Sequence, residues 1–227
     1  MSNDLIQAMT SQQKPVYTAH SGGYIHQLHL KTPIKDPEDY IEWVQIIRSA
    51  SENDRIELHL NTPGGDIYTA IELLHAFACT EAHVHVVCSG IVASAGTVLM
   101  TVGDSFEINP HTTFMFHNYS GGTIGKGNEM AIKIEYERQW SKSFMHDVYE
   151  GLLTPEEIDD LLDGRDYWLS AEDVSDRLEA MVEARYAAVQ KLMDEMNQAM
   201  EEEAAKAAEE KPKRKRGRPR KNPEEKK

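Results

Sequence analysis

The chain has 227 residues, of which 40% are hydrophobic and 27% charged, and a formal net charge of -14. That length suits one substantial domain with appendages. No apolar run approaches the roughly 20 residues that cross a bilayer, which excludes a membrane-spanning class. Residues 1–13 are polar and lack the basic start and apolar stretch of an export signal, so the cytoplasm is the expected location. The charge is segregated: residues 211–227 hold 10 Lys or Arg against Glu224 and Glu225, leaving 14 basic and 36 acidic residues in 1–210. An acidic body with a basic tail implies different partners for the two. Cys79 and Cys88 fit neither a disulfide framework nor a four-ligand zinc site, so both are expected as free core thiols with no metal.

In chain order, residues 1–15 read as a flexible arm. Residues 24–30 alternate loosely, as a strand does, and Asp36-Pro37-Glu38 opens a helix with Tyr40, Ile41, Val44 and Ile47 on one face. The order repeats with a strand at 55–60, a turn at Asn61-Thr62-Pro63-Gly64-Gly65 and a helix over 66–78. A third strand, 83–88, leads through Ser89-Gly90 into a helix of small residues beginning near Ser94. Alternating strands and helices predict an α/β fold with a mainly parallel sheet. Next come a short apolar strand at 113–117, a glycine-rich stretch at 121–127 and a long helix over 128–149. Thr154-Pro155 starts a further helix with a capping hydroxyl and proline at the first helical position. A strand at 167–169 precedes a helix start at Ser170 with Asp173, and the Ala-, Glu- and Met-rich stretch 180–210 predicts one long helix.

Ser94 stands where a buried strand hands over to a helix, near unpaired backbone N–H groups that stabilise developing negative charge. Small residues there serve equally to let a helix approach a sheet. Gly64-Gly65 permits dihedrals that could aim an N–H into a cleft, or makes a plain turn.

Four segments, Asn61-Thr62-Pro63-Gly64-Gly65, Gly90-Ile91-Val92-Ala93-Ser94-Ala95-Gly96, Met115-Phe116-His117 and Gly164-Arg165-Asp166-Tyr167-Trp168-Leu169-Ser170, occur in the order found in the Clp protease proteolytic subunit (ClpP) family, which the chain resembles over roughly 18–178. The resemblance implies a ClpP/crotonase-like fold with a strand-helix handle near 121–151 and a peptidase domain over 16–180. It implies a serine endopeptidase with Ser94 as nucleophile, His117 as base and Asp166 as orienting acid. The chemistry is sufficient, because an imidazole takes the hydroxyl proton while a carboxylate holds the ring's tautomer. Backbone N–H groups of Gly65 and Ala95 would form the oxyanion hole. Gly64, Gly121, Gly122, Ile124 and Gly125 would hold an extended peptide by main-chain hydrogen bonds. Ala95 stands where the family has Met, and Asn118-Tyr119-Ser120 follows His117 where the family has a proline.

The resemblance further implies a homo-oligomer of stacked heptameric rings, fed with unfolded proteins by a ClpX/ClpA-like AAA+ ATPase. The chain has no phosphate-binding loop, so ATP belongs to that partner and no cofactor is expected. The tail contains Arg216-Gly217-Arg218-Pro219-Arg220, which looks like an AT-hook for the A·T minor groove, or serves as a solubilising basic run. Limited processing of the viral-head maturation type and a weakly active, DNA-tethered assembly protein are the alternative readings.

Overall fold

The computed structural model describes residues 16–20 and 22–209. The arm at 1–15 and the basic tail at 211–227 lie outside the described residues. The chain divides into two compact units, one ending at Ala184 and the other beginning at Arg185.

Among the described residues, seven strands form a single sheet: β1 Val16–His20, β2 Tyr24–Leu30, β3 Arg55–Thr62, β4 His83–Ala93, β5 Ser105–Ile108, β6 Thr113–Phe116 and β7 Tyr167–Leu169. They run in the order β1-β2-β3-β4-β6-β7, with β5 also paired to β4. β2, β3 and β4 are mutually parallel, and β4 is parallel to both β5 and β6. Only β1 against β2 and β7 against β6 are antiparallel. The helices are α1 Ile41–Ser49, α2 Ile67–Phe77, α3 Ala95–Met100, α4 Gly127–Tyr149, α5 Pro155–Leu162 and α6 Ala171–Glu209. This is the expected α/β architecture with a mainly parallel sheet and a long C-terminal helix.

Burial alternates strictly along β3, with Ile56, Leu58, Leu60 and Thr62 buried and their neighbours half-exposed. The period of two turns one complete face of the strand to the core. That face meets Trp43 and Ile47 of α1 and Leu73, Ala76 and Phe77 of α2, within one contiguous apolar cluster. Burying a side chain of that size contributes roughly 1.5–3 kcal/mol, so the sheet and these helices stabilise each other.

Several local expectations differ from the structure. Pro37–Tyr40 is a 3-10 turn that rotates the start of α1, so the buried stripe is Tyr40, Trp43 and Ile47, while Ile41 is exposed. β4 runs on to Ala93 because the chain bulges: the β3/β4 register shifts between Leu60 and Thr62, and Gly90 takes φ 67. A bulge keeps a strand going while re-aiming its end. β1 and β5 have no counterpart among the predicted elements. Residues 121–126 form no strand ahead of α4, since glycines bring no side chains to hold an extended segment and no described strand lies beside it. The helix starts at Ser170 and near 180 belong to one helix, α6. Cys88 is buried, which pushes its thiol well above the ordinary range, but Cys79 is exposed rather than in the core.

The predicted start signals are realised. Thr154 caps α5, accepting from the Glu157 amide while Glu157 accepts from the Thr154 amide, with Pro155 in the first turn. Ser170 and Asp173 make the same reciprocal pair at α6.

Candidate active site

Ser94 occupies the single-residue elbow between β4 and α3. Its φ of 54 and ψ of -129 lie in a region that residues with a side chain rarely adopt, so the surrounding structure must hold it there. Three bonds do so. The Ser94 amide donates to the Met115 carbonyl at 2.8 Å, tying the elbow to β6. The Ser94 carbonyl accepts from the Thr97 amide at 2.8 Å and from the Thr97 hydroxyl at 2.7 Å. Thr97 Oγ1 also lies 2.7 Å from the Tyr149 hydroxyl, and both side chains are buried. Burial holds that phenol neutral, with its pKa pushed up to about 12. Tyr149 in turn packs edge-on against Phe116 at 5.5 Å, next to His117.

His117 follows the last residue of β6, which is parallel to β4, so the two strands deliver their ends to the same place. Ser94 Oγ lies 2.6 Å from His117 Nε2. Residues 23 apart in the chain therefore meet within hydrogen-bond reach. β7 returns antiparallel to β6 with Phe116 opposite Tyr167. Continuing that register by one step puts His117 opposite Asp166. Asp166 is exposed, and among the described residues no hydrogen bond joins its carboxylate to the His117 ring.

Gly64 and Gly65 lie against the elbow. Gly64 has φ 91, and a Cβ there would stand 2.6 Å from Ser94 Cβ and 2.9 Å from the Ala95 amide nitrogen. Gly65 is held by a bridge to Ile34: the Ile34 amide donates to the Gly64 carbonyl at 2.9 Å, and the Asp66 amide donates to the Ile34 carbonyl at 3.0 Å. That bridge leaves the Gly65 N–H itself without a partner among the described residues. The Ala95 N–H is the first of α3 and has no intrahelical acceptor.

These groups open onto a cleft of about 400 Å³ whose lining includes Gly65, Ser94, Ala95, His117, Gly121 and Gly122. Near Ala95 its wall is apolar, from Val98, Phe144, Met145 and Tyr149. Along α4 it continues as an aromatic shelf, with Trp140 stacked on Phe144 at 5.1 Å and within 6.1 Å of Tyr68 and 6.3 Å of Tyr119. The expected peptide-holding residues therefore separate. Gly64, Gly121 and Gly122 adjoin the site, whereas Ile124 is fully exposed and neither it nor Gly125 lines the cleft. Sequence reasoning missed Thr97, Tyr149, Tyr68 and Trp140. Tyr68 lies in the first turn of α2 and Trp140 on α4, far apart in the chain, and only their meeting in space marks them. Arg216, Gly217, Arg218, Pro219 and Arg220 lie outside the described residues. Among the described residues, no helix is long and apolar enough to cross a membrane.

A serine on a strained strand-to-helix turn at the end of a parallel sheet, bonded to a histidine from the adjacent strand, is the arrangement of serine hydrolases. The chain belongs to the Clp protease family, whose members are serine-type peptidases, and the family model described as Clp protease matches residues 25–177. It is 28% identical over 172 residues to the ATP-dependent Clp protease proteolytic subunit 1 of Salinibacter ruber, covering 73% of this chain and 69% of that protein. The ATP-dependent Clp protease proteolytic subunit of Porphyromonas gingivalis is 28% identical over 126 residues, which is 54% of this chain and 56% of that protein. That of Bacteroides fragilis is 24% identical over 123 residues, 53% and 59% respectively.

Proposed function

We propose that the chain is a Clp-type serine endopeptidase subunit in which Ser94 is the nucleophile, His117 the base, Asp166 the acid that orients it, and the Gly65 and Ala95 amides the oxyanion hole. The observation that carries this reading is the 2.6 Å separation of Ser94 Oγ and His117 Nε2, beside Gly65 and Ala95 amides that have no partner among the described residues. His117 accepts the hydroxyl proton as Ser94 Oγ attacks the scissile carbonyl, and the developing oxyanion accepts from the two amides. Collapse expels the amine, which takes the proton back from His117, and a water activated in the same way releases the acyl group. Each oxyanion donor contributes roughly 3 kcal/mol to lowering the barrier. Continuing the β6/β7 register one step past its last pair sets Asp166 opposite His117, which is the support for giving it that role.

This chemistry uses only side chains and backbone amides and needs no cofactor. In the proposed cycle, residues 16–180 form the peptidase domain in an oligomeric chamber within the cytoplasm, and a separate ATPase delivers unfolded chains to it. The names of the relatives, which are ATP-dependent protease subunits, support that partnership. The Ser94→Ala variant is expected to lose peptide cleavage and labelling by a serine-reactive fluorophosphonate while keeping its assembly state. Undiminished cleavage by that variant overturns the reading. Mass spectrometry of digests tests the breadth of action: many sites in unfolded substrates fit degradation, whereas a few fixed sites point to limited processing.

A further inference from the structure

The family match ends at residue 177, yet α6 continues to Glu209. Along this extension Tyr186, Val189, Leu192, Met193, Met196 and Met200 are each more than half exposed. Five of them, Tyr186, Val189, Met193, Met196 and Met200, follow one another at spacings of three, four, three and four residues. That is a repeat of 3.5, the a and d positions of two heptads, which specifies a seam against another helix. A helix that covers a sheet carries a broader stripe. The seam spans about 21 Å at 1.5 Å per residue.

The placement of charge decides the occupant. In a helical pair the e and g positions flank the seam and select the partner by charge. Between 186 and 200 those positions hold Gln190, Leu192, Asn197 and Ala199, none of them charged. The charged residues Lys191, Asp194 and Glu195 sit at the outer positions. There Lys191 pairs with Glu195 at 3.9 Å and Gln190 donates to Asp194 at 3.0 Å, so they are engaged along their own helix. A strongly acidic helix with charged flanks would repel its own copy and call for a basic partner. Between 186 and 200 the charges keep off the contact line, which ends at Met200 ahead of Glu201, Glu202 and Glu203, and Leu192 and Ala199 widen the apolar strip on one side.

We infer that residues 186–200 are a self-association seam, in which α6 pairs with α6 of a second copy of this chain. The contact is additional to anything the peptidase domain makes, because it lies beyond the segment that matches the family. Two heptads make a short pairing, which a shared assembly reinforces by raising the local concentration of the second helix. The methionines suit it, since unbranched thioether side chains fill such a seam in more than one packing.

The test uses the full-length chain with the exposed Cys79 replaced by Ser, leaving only the buried Cys88. In that background Met193→Cys places a thiol on the contact line at the middle of the seam, opposite its counterpart in a parallel pair and within about one helical turn of it in an antiparallel one. Lys191→Cys places one on the outer face. After mild oxidation, Met193→Cys is expected to give a covalent dimer on a non-reducing gel as the main species, at least tenfold above Lys191→Cys. Adding Met196→Glu to the Met193→Cys chain is expected to abolish that dimer. Equal dimer from the two cysteine positions, no dimer from Met193→Cys, or a dimer that survives Met196→Glu would each overturn the inference. None of these readouts involves peptide cleavage, so they are independent of the role assigned to Ser94.

Discussion

Replacing Gly64 with Ala isolates the contribution of the glycine turn to the Ser94 elbow. With φ 91 at this position, a side chain incurs the left-handed penalty of about 1–2 kcal/mol. The added Cβ also meets the Ala93 carbonyl oxygen and Ser94 Cβ at 2.6 Å and the Ala95 nitrogen at 2.9 Å, all close to the backbone, where nothing can swing aside. Overpacking of that kind costs about 1–3 kcal/mol more. The sum, about 2–5 kcal/mol, lowers Tm by about 2–4 °C per kcal/mol in a chain of this size. Function should suffer more than stability. Relieving a 2.6 Å contact moves the elbow by about 1 Å, and a misplacement of that size reduces turnover about 100-fold. Thermal unfolding by circular dichroism and the rate of fluorophosphonate labelling at Ser94, measured well below the variant's Tm, read the two effects separately. Gly127→Ala is the control, because a Cβ there has nothing within 4 Å. A Gly64→Ala chain that labels within threefold of the parent, or a Gly127→Ala chain that loses as much, would refute the reasoning.

Thr97→Val should cost more than Tyr149→Phe in both stability and labelling rate. The first strands a buried phenol and removes one of the two bonds to the Ser94 carbonyl, at about 1–3 kcal/mol, whereas the second removes one hydrogen bond worth about 0.5–1.5 kcal/mol. Thermal melts of the two variants check the order, and a reversed ranking would count against the network. Arg177 donates to both oxygens of Glu157, at 2.7 and 2.9 Å, and these bonds hold the Glu157 carboxyl below its ordinary value of 4.5. A depressed folded pKa contributes stability that is complete above the unfolded value and is lost as pH falls through the folded one. Arg177→Met should therefore lower Tm at neutral pH, with the gap from the parent closing below about pH 4.5, as melts across pH 3–7 would reveal. If the tail acts as the AT-hook that its Arg-Gly-Arg-Pro core resembles, deleting residues 211–227 abolishes salt-sensitive binding to A·T-rich duplex in a gel shift and leaves peptide cleavage unchanged, and duplex binding that survives the deletion ends that reading.

Much of the fold was legible because local rules acted without competition. The capping pairs at Thr154 and Ser170 were visible as residue types at a three-residue spacing, and they hold in the structure. Strand and helix periods gave the α/β class and brought Ser94 to the junction of β4 and α3. The expectations that fail are those that depend on neighbours. The buried face of α1 shifts to Trp43 because a 3-10 turn changes the helix phase. Residues 121–126 stay out of a strand because no described strand is beside them to supply the other half of the ladder.

By itself the sequence determined which residues carry reactive groups, where the chain can turn, and the order of most of the central strands and helices, since propensity, period and capping act over a few residues. Only the tertiary structure decided that Ser94 Oγ lies 2.6 Å from His117 Nε2, that Gly64 presses against the elbow, and that Trp140 and Tyr68 share a cleft. Those distances depend on parallel strands ending at one edge and on a bulge that re-aims β4. Such long-range pairings satisfy buried hydrogen bonds across the whole sheet, and no window of sequence contains them.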